Sequence, residues 1–224
     1  MKLPQVHSPE ELAELVNRVG FLPFFACEIP GLSVEECTPP ELYFVEGVDG
    51  PWEWKGPVIQ LSGGAYGKFF RNKAGFISRE WYPDFANYRR DGYDYDARFE
   101  DGLMRTQDRQ LLDLLTDSGP TISRRLKKEA GYGKGGLKGF ESTITRLQMQ
   151  GYIIDANFER TLDREGRPYG WALARYATPE QAFGEYFISR VYQREPEESY
   201  QRMLDYLRRL CPDTGEKECR DLLG

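Results

Sequence analysis

The sequence predicts an α+β fold in which a winged helix-turn-helix module is embedded in a larger, aromatic-rich α+β chain. Three observations carry that expectation. Residues 106–150 show helical periodicity in three successive runs, residues 152–176 read as strand, turn and returning strand, and residues 51–99 are dense in aromatics and glycines. The matching division is 1–105 for an N-terminal α+β region with short strands, 106–178 for the winged-helix domain and 179–224 for C-terminal helices packing on the rest. With 224 residues, 40% hydrophobic and 14% aromatic, the chain has ample material for a buried core.

Near the start, SPEELAELV reads as a helix: Ser8 as N-cap, Pro9 at the first helical position, Glu11 at the capping-box position, and a stop by Gly20. Prolines 23, 30, 39 and 40 then exclude long regular elements. In the aromatic middle segment, residues 58–61, 65–70 and 74–78 are expected as strands. DGYDYDARFEDG is expected as a solvated acidic loop, because it lacks the twelve-residue calcium-loop pattern with its terminal Glu. Residues 109–118 carry Leu111, Leu112, Leu114 and Leu115 as a first helix, and TISRRLKKEAG offers a second that ends at Gly131. The third, residues 140–150, places Phe140, Ile144 and Leu147 on one face. A hairpin with its turn at residues 163–166 follows, and the tail adds two helices, at 180–193 and 196–210.

Charge and cysteine usage narrow the function. The formal net charge is −6, yet residues 119–176 hold 11 Lys and Arg against 6 Asp and Glu, leaving 19 against 30 elsewhere. An acidic chain with one basic segment is suited to meet phosphate on one face only. The four cysteines, Cys27, Cys37, Cys211 and Cys219, are widely spaced and His7 is the sole histidine, so reduced structural thiols are expected, with no metal and no cofactor. No apolar run is long enough to span a membrane and MKLPQVHSPEEL has no signal-peptide stretch, so no membrane partner and a cytoplasmic location are expected. The oligomeric state stays open.

On the third helix, Lys138, Ser142, Thr145, Arg146 and Met149 point away from the apolar stripe. In a helix-turn-helix that face lies in the major groove, with Arg and Lys suited to guanine edges or phosphates and Ser and Thr to either. The expected DNA-binding set is Lys134, Lys138, Ser142, Thr145 and Arg146, with Arg164 and Arg167 at the hairpin tip, and double-stranded DNA is the expected partner. The loop GYGKGG is a weak nucleotide motif, since no Ser or Thr follows its Lys and no strand precedes it. Gln148 and Gln150, two residues apart on a helix, leave about 200° apart and cannot converge on one water.

The block GPTISRRLKKEAGYGKGGLKGFESTITRLQMQGYIIDANFERTLDREGRPYGWALARY, preceded by FFRNKAGFISREWYPDFANYRR, resembles the AlkZ/YcaQ-like winged-helix DNA glycosylases, most closely the shorter bacterial proteins described as AlkZ-related. The similarity covers residues 69–176. It implies tandem winged helices that grip damaged duplex DNA and remove alkylated bases or unhook crosslinks. It also implies a Gln-x-Gln or Gln-x-Asp pair in an earlier winged helix, but that pair lies N-terminal of the segment matching FFRNKAGFIS, so it is not carried onto Gln148 and Gln150. Family members often carry a His near the position of Asn72, where this chain has none.

Whether the chain is an enzyme therefore stays open. Glycosidic-bond hydrolysis needs a group to hold water and aromatic surfaces to receive a base. The candidates are Glu53 and Asp84 for catalysis, and Trp52, Trp54, Trp81 and Tyr82 for base stacking; on a strand, Trp52 and Trp54 would share one face with Glu53 on the other. The alternative is a non-catalytic winged-helix regulator or protein-interaction module.

Overall fold

Ser8 caps the first helix as the sequence predicts. In the computed structural model, which describes residues 3–224, its hydroxyl accepts the Glu11 amide at 3.2 Å, Pro9 opens α1 (Pro9–Val19), and Gly20 at φ 76° stops it. Glu11 completes the cap by accepting the amide of His7, at 2.7 Å, one residue earlier than a standard capping box. Strand β1 (Phe21–Pro23) and the short helix α2 (Val34–Cys37) follow.

The next element corrects the expectation from sequence. Residues 58–61, expected as a strand, lie in helix α3 (Pro51–Ser62). Pro51 sits in the first turn, and Gly63 in the left-handed region donates its amide to the Ile59 carbonyl to end the helix. Trp54, Val58, Ile59 and Ser62 are buried along one side, which is a helical spacing, so burial overrides the strand preference of Val58 and Ile59. The strands expected at 65–70 and 74–78 are present as β2 (Ala65–Phe70) and β3 (Lys73–Ile77), paired as an antiparallel hairpin. Helix α4 (Tyr82–Arg90) follows, and α5 (Tyr95–Glu100) stands where residues 91–102 are expected as a solvated acidic loop. The acidic spacing of DGYDYDARFEDG is punctuation: Asp91 at φ 53° ends α4, and the Asp94 carboxylate caps α5 by accepting the Ala97 amide at 2.8 Å.

From there the predicted order of three helices and a hairpin holds, with a two-residue strand, β4, added between the first two helices: α6 (Thr106–Ser118), β4 (Thr121–Ile122), α7 (Ser123–Glu129), α8 (Phe140–Met149), β5 (Ile154–Leu162) and β6 (Pro168–Ala177). The tail departs from it. The helix expected over 180–193 breaks at Gly184, whose φ of 87° and ψ of 147° leave the helical region, giving α9 (Pro179–Phe183), α10 (Glu185–Ile188) and a 3₁₀ turn (Ser189–Tyr192). Helix α11 (Pro196–Leu210) is as expected, and α12 (Glu216–Leu223) is an addition.

Among the described residues the strands form one six-stranded antiparallel sheet of order β1-β3-β2-β5-β6-β4. Two apolar cores flank it. The larger gathers α1, β1 to β3, α3, α4, α11 and α12; the smaller contains Met104, Leu111, Leu112, Leu115, Leu126, Phe140, Ile144, Leu147 and Tyr176. The sheet joins them where Tyr66 pairs with Asp155. A second joint lies at Gly151, whose carbonyl accepts the Tyr82 hydroxyl at 2.8 Å and the Arg90 guanidinium at 2.6 Å. No disulfide is formed among the described residues; burial pushes the Cys27 thiol up to about 11 and that of Cys37 up to about 12.

Candidate functional site

Helix α8 follows the glycine loop of residues 131–139; its N-cap, Gly139, adopts φ 85° and offers no side-chain cap to the first amides. Lys134 and Lys138 are exposed in that loop, and Arg164 is exposed at the hairpin tip; among the described residues none of the three is paired with a carboxylate. Ser142 is exposed and donates its hydroxyl to the Gly139 carbonyl at 2.8 Å. Arg167, also exposed, turns back on its own turn, with Nε 3.1 Å from Asp163 Oδ2 and a second contact to Glu165.

The C-terminal half of α8 is more occupied than the helical wheel suggests. Arg146, expected to point outward, is 26% exposed and forms a two-pronged ion pair with Asp108 of α6, through Nε at 2.6 Å and through a terminal nitrogen. Asp108 is 2% exposed, so Arg146 is its counter-ion. Thr145 accepts the Lys68 ammonium at 3.1 Å, and Met149 Sδ accepts the Asn72 amide at 3.3 Å. The β2–β3 turn thus lies over this end of α8, and Asn72, Glu141, Ser142, Thr145, Arg146 and Met149 line an open groove of about 550 Å³. Gln148 is buried and structural: it accepts the Lys68 amide at 3.1 Å and donates to Asp155 at 2.8 Å, while Gln150 ends the helix.

The aromatic candidates separate. Trp54 is buried in the larger core. Trp81 and Tyr82 are buried there too, the former with its ring 4.5 Å from that of Tyr206, the latter anchoring Gly151. Asp84 is buried beside α11, where Ser199 donates to it at 3.0 Å and Arg202 at 3.4 Å, with Arg194 3.6 Å away. Its carboxylate braces α4 against α11. Trp52 and Glu53 stand elsewhere, at the rim of a cleft between α3, the loop of residues 43–47 and the base of the β5–β6 hairpin.

That cleft has an inner chamber of about 130 Å³ lined by Trp52, Glu53, Lys55, Phe158, Arg160 and Trp171, and an outer one of about 430 Å³ that adds Phe44 and Val45. Trp171 is 77% exposed, and its ring meets that of Trp52 edge-on at 6.4 Å. Arg160 lies 3.9 Å from Glu53 across the opening. Lys55 is 6% exposed, its ammonium 3.4 Å from the centre of the Trp52 ring and 4.4 Å from that of Phe158. Burial pushes Lys55 down to about 8, against the opposing fields of Asp155 and Glu53; burial likewise pushes Asp155 up to about 7, against Lys55 and the Gln148 hydrogen bond. Sequence reasoning missed Lys55 and Trp171. With WEWKG read as a strand, nothing places Lys55 beside Trp52; on a helix the two are three residues apart and share a face.

Among the described residues no group of three or more His, Cys, Asp or Glu is arranged to hold a metal ion, and no helix is long and apolar enough to cross a membrane. The family model described as AlkZ related matches residues 6–224, nearly the whole chain. No curated protein and no solved structure matches.

Proposed function

The chain belongs to the AlkZ-related family, and from that membership we propose that it is a DNA glycosylase-like, winged-helix DNA-binding protein that acts in the repair of alkylated DNA. The observation that carries the reading is the run α6, β4, α7, α8, β5, β6 around its own core, with Lys134, Lys138 and Arg164 unpaired at one end of α8 and at the hairpin tip. In this reading α8 enters the major groove by its N-terminal half, and the hairpin is the wing. Ser142 adds a short polar contact, and Arg167 reaches phosphate once it leaves Asp163. Arg146 and Thr145 hold the helix in place, so phosphate contacts dominate over base reading.

The test is a binding titration of duplex DNA at several salt concentrations. Each neutralised phosphate contributes a slope of about −0.9 in log affinity against log salt. The double substitution Lys134→Ala, Lys138→Ala is expected to weaken binding and flatten that slope by about 2. An absence of binding at low salt, or a slope unmoved by the double substitution, overturns the reading. For the repair chemistry, Glu53 at the cleft rim is the carboxylate candidate, and release of free base from N-alkylated duplex is the assay. A non-catalytic DNA-binding module is the second reading, favoured by the commitment of Asp84 to α11; it predicts salt-sensitive binding without base release.

A further inference from the structure

The inner chamber of the cleft contains an amine that the fold does not use. Lys55 is more than nine-tenths buried, and among the described residues its ammonium takes part in no hydrogen bond and no ion pair. A buried lysine ordinarily secures a carboxylate partner, because an unpaired ammonium is costly to desolvate. Here its neighbours are the faces of Trp52 and Phe158, and its chamber opens between Trp52, Arg160 and Trp171. Ring faces offset part of the desolvation cost of the cation, yet burial still lowers the proton affinity of Lys55 to about 8. The neutral amine is then more accessible at pH 7 than on an ordinary lysine.

We propose that Lys55 is a nucleophilic amine that forms an imine with the aldehyde of an abasic deoxyribose held in the aromatic cleft. An unprotonated primary amine in a water-poor pocket captures carbonyl carbon, and the carbonyl that DNA itself offers is the open-chain sugar left where a base has been lost. This rests on the DNA-binding reading above and names the form of DNA that the cleft receives. The inner chamber has room for a sugar but not for a nucleotide pair. Arg160 at its mouth and Arg164 further along the hairpin supply charge for the flanking phosphates, while the exposed Trp171 and Phe44 offer faces for the neighbouring bases. In the step itself, the Nζ lone pair bonds to C1′ while the C1′–O π bond breaks, and the oxygen takes up the first proton that Nζ releases. The second Nζ proton then leaves with that hydroxyl as water, giving C1′=Nζ, and addition of water reverses both changes.

The experiment incubates the 224-residue chain with a duplex containing one abasic site, in cyanoborohydride at pH 8. Hydride from the reductant adds to the imine carbon and fixes it as a secondary amine, and peptide mass spectrometry locates the attachment. The expected result is a protein–DNA adduct at Lys55 in the wild-type chain, reduced at least tenfold in both Lys55→Met and Lys55→Arg. Because the attachment is mapped on the wild-type chain, the result does not depend on how a variant folds. Absence of an adduct overturns the proposal. So does attachment spread over exposed lysines such as Lys134 and Lys138 that Lys55→Met leaves undiminished. Fluorescence anisotropy on an intact duplex in the same buffer separates the two levels of failure: binding without adduct removes the role of Lys55 alone, and loss of both removes the DNA reading as well.

Discussion

Arg146 and Asp108 illustrate how one residue can be spoken for by the fold before any ligand arrives. Asp108 is buried in the first turn of α6, and the Arg146 guanidinium is its two-pronged partner. Truncation by Arg146→Ala leaves a buried carboxylate uncompensated and is expected to cost about 3–5 kcal/mol in urea unfolding. Adding Asp108→Asn should recover much of that loss; a single-variant cost under about 1 kcal/mol would show that water already satisfies the carboxylate. Asp155 and Lys55 give a pH signature of the opposite kind. The folded state holds the Asp155 proton more tightly than the unfolded chain does, so the stability this group contributes is present at low pH and is lost as pH rises from about 4 to about 7. Lys55 binds its proton less tightly when folded, so stability recovers as pH rises from about 8 toward 10.5. Asp155→Asn keeps the acceptor for Gln148 and should raise stability at pH 8 by up to about 4 kcal/mol, with little effect at pH 4. Equal effects at both values would mean that Asp155 titrates normally. Lys55→Met should abolish the rise above pH 8.

At the scale of the element, α3 decides whether the cleft exists, and its placement depends on Gly50. A Cβ built there would lie 2.0 Å from the Leu42 carbonyl oxygen, so the loop that carries Phe44 crosses directly over the start of the helix. Gly50→Ala forces one of the two to move and is expected to destabilise the protein by about 1–3 kcal/mol. It should also shift the fluorescence of Trp52, whose ring is 5.0 Å from that of Phe44. Unchanged stability and emission would show that the loop yields freely. Gly56 plays a matching part at the other side of α3, where a Cβ would meet Asn157 Oδ1 at 2.8 Å; the missing side chain lets the helix approach β5 and brings Lys55 up to Phe158.

For the whole molecule, two cores share one sheet. The β2–β5 pairing and the anchoring of Gly151 by Tyr82 and Arg90 cross from one core to the other. Those links are buried, so unfolding either core exposes part of its neighbour. A single cooperative transition is expected, with coincident curves from tryptophan fluorescence and far-ultraviolet circular dichroism. The four tryptophans report the larger core and the cleft, whereas dichroism also sees α6 to α8; a lag between the two curves would mean that the smaller core melts alone.

The sequence by itself determined the elements whose signals are local. Ser8 and Pro9 start α1, Phe140, Ile144 and Leu147 set the buried face of α8, and the turn at residues 163–166 closes the hairpin, because caps, periodicity and turn chemistry act within a few residues. The block over residues 69–176 likewise carried the resemblance to the family that the chain belongs to. Tertiary structure decided the rest. Whether WEWKGPVIQ is strand or helix depends on what buries Trp54 and Val58, and that partner is distant in sequence. Arg146 turned from ligand candidate to counter-ion because Asp108, 38 residues away, is buried opposite it. Lys55 entered the site only when α3, β5 and β6 met around it, since a buried amine acquires its chemistry from the dielectric and the rings that surround it rather than from its neighbours in the chain.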